Sequence, residues 1–260
     1  MAEITSAHNP LLQKIRKAVM SGRATPEGLV IAEGPHLLEE AVDSRWQIAQ
    51  ILTTPAGRTR YSDLLQRVDA PVIEASARAF DSAAGTEHSQ HMLALLHPTT
   101  WTWEDLLGPQ ALLVVLDGIQ DPGNAGAIVR SAEAFGASGV VFLKGSAHIA
   151  NGKLLRASAG SMFRVPFLEG VQAHELLAQT QHRQIYAYAL EGHTARSITQ
   201  ADLRRPLALI VGNEGSGVSP ELLAAGQSVR IPTQNVESLN AAVACSVALF
   251  GIQQQRATLS

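Results

Sequence analysis

The sequence has almost no thiol chemistry to offer. Cys245 is the single cysteine among 260 residues, which excludes an intrachain disulfide framework and argues against a structural zinc site. It lies inside the apolar run AAVACSVALFGI with no motif histidine beside it, so core packing is expected of it, not nucleophilic attack. The nine histidines show no metal-ligand spacing, and no metal is expected. That apolar run is the longest in the chain and is too short to span a bilayer. The first residues, MAEITSAHNPLLQKIRK, lack the apolar centre of a signal peptide, so no membrane association and a cytoplasmic location are expected. Strong charge is missing as well. A net charge of −3 excludes a nonspecific polyanion-binding coat, and any surface for a polyanion must be a local patch. Hydrophobic residues, at 46% against 17% charged, supply real cores and exclude a disordered chain.

What is present is regular alternation of helical and strand patterns. Asn9-Pro10 opens a helix that Ser21-Gly22 stops. Strand patterns follow at 29–32, 48–52, 71–73 and 91–96, with helical patterns at 35–42, 61–68 and 77–84. This predicts a small α/β domain over residues 1–98. The stretch HPTTWTWEDLLGPQ, broken by Pro98 and Pro109, reads as a linker over 99–110. Trp101 and Trp103 can stack on bases, but packing against a domain face is the preferred reading. Alternation restarts over 111–260. The continuous apolar runs Leu112–Leu116 and Leu207–Val211 suit central parallel strands. The final helix, 239–254, is apolar nearly all round, as burial beneath its own fold and a second subunit would require.

Three segments carry chemistry. In LDGIQDPGNAGAIVRSAEAFGA a buried strand ends at Asp117, and a helix is expected from Ala125 with Asn124 as its cap. Arg130 lies two turns into that otherwise apolar helix and needs an anionic partner. A bound ligand or phosphate and a salt bridge with Glu133 or Glu214 are equally open readings from this segment alone. In LALIVGNEGSGVSPELL a strand runs into Gly212-Asn213-Glu214-Gly215-Ser216-Gly217. The spacing matches neither a dinucleotide fingerprint nor a P-loop, and a plain glycine-rich turn is the simpler reading. In VRIPTQNVESLNAAVACSVALFG a short strand ends at Ile231-Pro232, and Ser238-Leu239-Asn240 opens the last helix; Ser238 as its cap is the simpler reading, and Ser238 and Asn240 facing a ligand at the strand ends is the other. All three follow strands, where open α/β sheets bind ligands.

In this order, DPGNAGAIVR, VGNEGSG and IP…ESLNAAVA resemble the signature motifs of the SpoU (TrmH-type) RNA ribose methyltransferases of the SPOUT superfamily. The resemblance spans most of residues 111–253. VIAEGPHLLEEA resembles the ribosomal-protein-like substrate-binding domain that often precedes this catalytic domain. The resemblance implies a knotted, parallel α/β catalytic domain with helices on both faces, behind a smaller N-terminal α/β domain. It also implies a homodimer and S-adenosylmethionine, the adenosine held largely by main-chain groups at Gly212, Ile231 and Leu239, with Leu190 beside them. It implies catalytic roles for Asn124, Arg130, Glu214, Ser238 and Asn240, with transfer of a methyl group to a ribose 2′-hydroxyl. Ribosomal RNA is the expected substrate, because of the extra N-terminal domain, and transfer RNA is the alternative.

Two basic groups are candidates for RNA phosphates: Lys14, Arg16, Lys17 and Arg23, and, together with Lys144, the set Lys153, Arg156 and Arg164. Ordinary solvated side chains are an equal reading for any one of them. A rival class of function is an RNA- or ribosome-binding factor of the same fold without catalysis, which the intact polar set opposes. A nicotinamide-dependent oxidoreductase lacks its fingerprint.

Overall fold

The computed structural model describes residues 3–44, 46–86, 89–191, 196–236 and 238–257. The chain forms two compact units, one of Met1–Thr100 with His148–Arg164, the other of Trp101–Ala147 with Val165–Ser260. This division differs from the expected 1–98, 99–110 and 111–260 in two places. Residues 101–110 of the expected linker fold with the second unit, and a segment from the middle of the expected catalytic domain folds with the first.

The first unit runs α1 (Pro10–Ser21), β1 (Val30–Glu33), α2 (Pro35–Val42), β2 (Gln47–Thr53), α3 (Pro55–Arg60), α4 (Ser62–Gln66), β3 (Val72–Glu74), α5 (Ala77–Asp81) and β4 (Met92–His97). Its sheet has the order β1-β4-β2-β3, with β4 antiparallel to both neighbours and β2 parallel to β3. Asn9 Oδ1 accepts the Leu11 N–H at 2.9 Å and Pro10 takes the first turn of α1, while Gly22, at φ +61°, ends it. Leu12, Ile15 and Ala18 point into the core, and Arg16, Lys17 and Met20 remain exposed. The helix expected over 61–68 is present as α4, and a further short helix, α3, precedes it. Thr54 caps α3 by accepting the Gly57 N–H at 3.1 Å, so helix begins at Pro55 and breaks at Tyr61.

The second unit begins with α6 (Trp103–Leu106), β5 (Leu112–Asp117), α7 (Pro122–Ala134) and β6 (Gly139–Leu143). After an excursion that carries α8 (Gly152–Ser158) into the first unit, it continues with β7 (Phe167–Val171), α9 (Ala173–His182), β8 (Tyr186–Leu190), β9 (Arg196–Ser197), β10 (Leu207–Gly212), α10 (Pro220–Ala225), β11 (Gln227–Arg230) and α11 (Ala241–Ala257). The seven strands are all parallel, in the order β7-β6-β5-β10-β8-β11-β9, flanked by helices. The chain steps outward on one side from β5 through β6 to β7, then crosses to the other side with β8, and β10 later inserts between β5 and β8, so the order reverses beside β5. That reversal opens a crevice at the carboxyl ends of the strands. Trp101 and Trp103 pack against the core around Leu106, Leu113 and Val141, as preferred, because Asp105 caps α6 through the Thr102 N–H at 2.7 Å and fixes the stretch as helix.

Three expectations are corrected. Helix α7 starts at Pro122, capped by Asp121, whose Oδ1 accepts the Asn124 N–H at 2.8 Å; Asn124 is therefore not the cap. Asn240, not Ser238, caps α11: its Oδ1 accepts the N–H groups of Ala242 and Val243 at 3.0 and 3.3 Å. Helix α8 was not expected and is capped by Asn151, which accepts the Lys153 N–H at 2.9 Å.

Candidate active site

Strands β5 and β10 pair so that Asp117 and Gly212 lie opposite each other at their ends. The turn after Gly212 is held by Asn213. Its Oδ1 accepts from the N–H groups of Gly215 and Ser216 at 2.8 and 3.3 Å, and its Nδ2 donates to the Gly118 carbonyl at 2.8 Å. Asp117 accepts the Ser219 N–H at 2.6 Å. Any Cβ on Gly212 would collide with the backbone of Gly217 and Val218, so glycine is required for the strand end to approach its own turn. The turn is thus a built structure, and it presents Glu214.

Asn124 Nδ2 donates to Glu214 Oε1 at 2.7 Å, and Asn240 Nδ2 donates to the same oxygen at 2.8 Å and to Asn124 Oδ1 at 3.0 Å. One residue from each of the three segments thus meets in one closed network. The cap correction explains how. With Asp121 satisfying the first turn of α7, the Asn124 side chain is free to face the turn after β10. Asn240 caps α11 with its oxygen and joins the network with its nitrogen, so one amide fixes both the helix start and the site.

Beside the network lies a cleft of about 360 Å³ lined by Leu190, Gly212, Glu214, Ser238, Leu239 and Asn240. A smaller recess of about 110 Å³ shares Leu190, Ser238 and Leu239 with it and adds Ile231. The expected cofactor residues Gly212, Ile231, Leu239 and Leu190 therefore face one region, together with Ser238. Glu191 lines both spaces and was not anticipated, since nothing in the segment after β8 marks it. Asn213 was also missed, although an asparagine inside a glycine-rich turn is a known signal for side-chain control of a turn. Glu237 of the third segment lies outside the described residues.

Arg130 is not part of the network. It is exposed and has no hydrogen bond or ion pair among the described residues, so neither Glu133 nor Glu214 neutralises it. It stands six residues beyond Asn124, about 9 Å further along the helix axis. Cys245 is fully buried and its thiol is pushed up to about 12 by that burial, which leaves no thiolate for catalysis. Among the described residues no cluster of three His, Cys, Asp or Glu side chains can hold a metal, and no helix is long and apolar enough to cross a membrane.

The basic candidates divide. Lys14 pairs with Glu27 at 2.6 Å, and Arg164 pairs with Glu40. Arg16, Lys17, Arg23 and Arg156 are exposed. Along α11, Val243, Val247 and Phe250 are exposed, at spacings that place them on one face.

Residues 111–250 match the model of the SpoU rRNA Methylase family, more than half of the chain. The chain belongs to that family. Residues 11–94 match an MRM3-like substrate binding domain. This SpoU family member is 32% identical over 257 residues to the 23S rRNA (guanosine(2553)-2′-O)-methyltransferase RlmP of Bacillus subtilis, covering 97% of this chain and 100% of the relative. It is 31% identical over 239 residues to the 23S rRNA (guanosine-2′-O-)-methyltransferase RlmB of Xylella fastidiosa, covering 86% of this chain and 91% of that one. The AdoMet-bound rRNA methyltransferase of Sinorhizobium meliloti superposes with a TM-score of 0.83 at 26% identity, covering 97% of each chain. The SpoU methyltransferase AviRb of Streptomyces viridochromogenes shares the fold, with a TM-score of 0.87 at 23% identity over 96% of this chain and 99% of that one.

Proposed function

We propose that this SpoU family chain transfers a methyl group from S-adenosylmethionine to a ribose 2′-hydroxyl of ribosomal RNA. The observation that carries the reading is the Asn124–Glu214–Asn240 network at the edge of the cleft. The cleft suits the cofactor in size, since small-molecule pockets span roughly 300–1,000 Å³. It suits it in chemistry as well: Leu190 and Leu239 offer apolar faces, main-chain groups at Gly212, Ile231 and Leu239 can match an adenine edge, and Glu214 supplies negative charge. S-adenosylmethionine supplies a methyl group already activated by its positive sulfur.

The chain's own task is then to bring the sugar oxygen into line and to stabilise it as its proton leaves. Orientation of this kind is worth about 7–11 kcal/mol. Glu214, held by two amides, has a fixed direction, and Ser238 stands beside it on the cleft wall. Arg130, exposed and without a partner among the described residues, holds the RNA phosphate next to the reacting ribose and stabilises the developing alkoxide. A guanidinium suits that role, since it stays protonated and binds phosphate through two donors.

A homodimer belongs to the same proposal, supported by the apolar face of Val243, Val247 and Phe250 on α11. So does a knot: after β11 the chain returns to lay α11 against α7 and β10, and threading of this segment through a loop is the family's route for it. Ribosomal RNA is preferred to transfer RNA because the rRNA relatives cover both units, whereas a structure concerned with methylation of C/U34 on tRNA aligns with 59% of this chain. A cytoplasmic location follows from that substrate. Incubation of the protein with labelled S-adenosylmethionine and deproteinised ribosomal RNA tests the reading; label in RNA is expected, and RNA binding without label would favour the non-catalytic factor.

A further inference from the structure

Residues His148–Arg164 fold with the first unit, and this brings α8 beside the end of α1. Asn151, the cap of α8, lies so close to Gly22 that a Cβ there would sit 2.6 Å from the Asn151 amide nitrogen. Arg23 follows Gly22 directly and so stands at the same junction; the pKa of half-buried His148 is lowered first by burial and then by the charge of Arg23. Two basic groups separated by more than a hundred residues of sequence therefore lie on one surface of one unit.

Between them runs a groove. One part, of about 520 Å³, is lined by Arg16, Val19, Met20, Asp81 and Gly85. The other, of about 140 Å³, is lined by Val19, Glu33, Gly85, Asn151, Lys153 and Arg156. Val19 and Gly85 line both, so the two parts adjoin across the contact between these residues. Glu33 is buried, and its carboxylate is engaged by the Gly85 N–H at 3.1 Å and by the Thr86 hydroxyl. Asp81 accepts from the Ser89 hydroxyl at 2.7 Å. The guanidinium groups of Arg16 and Arg156 have no carboxylate partner among the described residues and stay exposed. Lys14 and Arg164, by contrast, are already paired with Glu27 and Glu40.

We propose that this groove is a track for the phosphodiester backbone of RNA, with Arg16 and Arg156 contacting phosphates from its walls, Arg23 beside it, and Lys14 and Arg164 outside it. The claim rests on the RNA-modifying reading above and sharpens it: not every basic residue of the two sequence clusters takes part, and those that do act together. Exposed guanidinium groups along a polar groove suit phosphate, which they bind through two parallel donors. A protein partner would find Met20, 75% exposed, as an isolated large apolar contact.

The test is filter binding of deproteinised 23S ribosomal RNA between 50 and 200 mM KCl, conditions chosen on the scale where counterion release is measurable. Each lost phosphate contact should reduce the salt slope by roughly 0.7–0.9. Arg16→Glu with Arg156→Glu should lower the slope by about 1.5 and weaken binding more than tenfold at the lower salt. Lys14→Glu with Arg164→Glu should stay within twofold of the unsubstituted protein. If the glutamates disturb folding, Arg16→Gln with Arg156→Gln should still lower the slope. An unchanged slope in the Arg16/Arg156 pairs, or an equal loss in the Lys14/Arg164 pair, overturns the groove. Calorimetry with S-adenosylmethionine on the same variants keeps the two claims apart. A protein that binds RNA through the groove but binds no cofactor and transfers no methyl group would sink the functional reading and leave the groove standing.

Discussion

Asn240 offers a perturbation whose effects on stability and on activity should run in opposite directions. Its Oδ1 caps α11, and its Nδ2 donates to Glu214 and Asn124. Asn240→Ala removes both functions. Loss of the cap costs about 1 kcal/mol, which lowers Tm by about 2–4 °C for a chain of this size. Loss of the two donor bonds, one of them to a carboxylate, removes about 2 kcal/mol at the low end suited to an exposed site. If that interaction orients the site in the transition state, kcat/KM falls about 30-fold. Asn240→Asp keeps the cap, since aspartate caps as well as asparagine. It replaces the donor with a carboxylate about 3 Å from Glu214, a repulsion of about 1.5 kcal/mol even at the dielectric of water. In the free enzyme the two exposed carboxylates can swing apart and salt screens them, so Tm should fall less than in Asn240→Ala, which loses the cap as well as the donor bonds. With substrate held against the site they cannot, and kcat/KM should fall about 300-fold. Thermal unfolding followed by circular dichroism should therefore rank Asp above Ala, and methyl transfer should rank Ala above Asp. Activity that tracks stability across the pair would refute a positioning role for the network.

Arg130→Ala should abolish methyl transfer while Tm and S-adenosylmethionine affinity stay unchanged, because the exposed side chain has no partner among the described residues to lose; turnover within tenfold of normal would remove it from the mechanism. Arg130→Lys should recover little, since a lysine offers phosphate a point charge without the paired donors. Val247→Glu places a charge in the exposed apolar face of α11 and should convert a dimer to monomer in sedimentation velocity; an unchanged sedimentation coefficient counts against that face as the interface. Cys245, raised by burial to about 12, is neutral in the folded state. The unfolded thiol ionises near 8.5, so its contribution is fully present below that pH and is lost as pH rises toward 12. Urea midpoints measured at pH 7 and pH 10 should fall less in Cys245→Ala than in the unsubstituted chain; equal falls would contradict the buried thiol.

The sequence made the strands of the second unit plain because fully buried parallel strands read as unbroken apolar runs, as in Leu112–Leu116 and Leu207–Val211. Helix α2 was equally plain, with Pro35 at its start and apolar residues at helical spacing. The helix starts at the site were misread for a common reason. DPGN offers two capping residues three apart, and SLN offers two that are two apart. Which one caps depends on where the other side chain finds a partner, and that partner lies in another segment: Glu214 claims Asn124 and Asn240 in space. The same distance in sequence hid the groove. Nothing local in KLLRAS says that it leaves one unit for another, since its apolar residues Leu154 and Leu155 would suit either core. Convergence of Gly212, Ile231, Leu239 and Leu190 on one cleft was legible only through the family's pattern, because backbone groups leave no side-chain signature.

The central claim concerns which atom of the RNA receives the methyl group. Label transferred from tritiated S-adenosylmethionine to ribosomal RNA can be followed through alkaline hydrolysis, which needs a free 2′-hydroxyl to cleave the neighbouring phosphodiester. Methylation of the ribose oxygen predicts tritium in alkali-resistant dinucleotides that yield a 2′-O-methylnucleoside on full digestion. Tritium in ordinary mononucleotides carrying a methylated base would contradict the account.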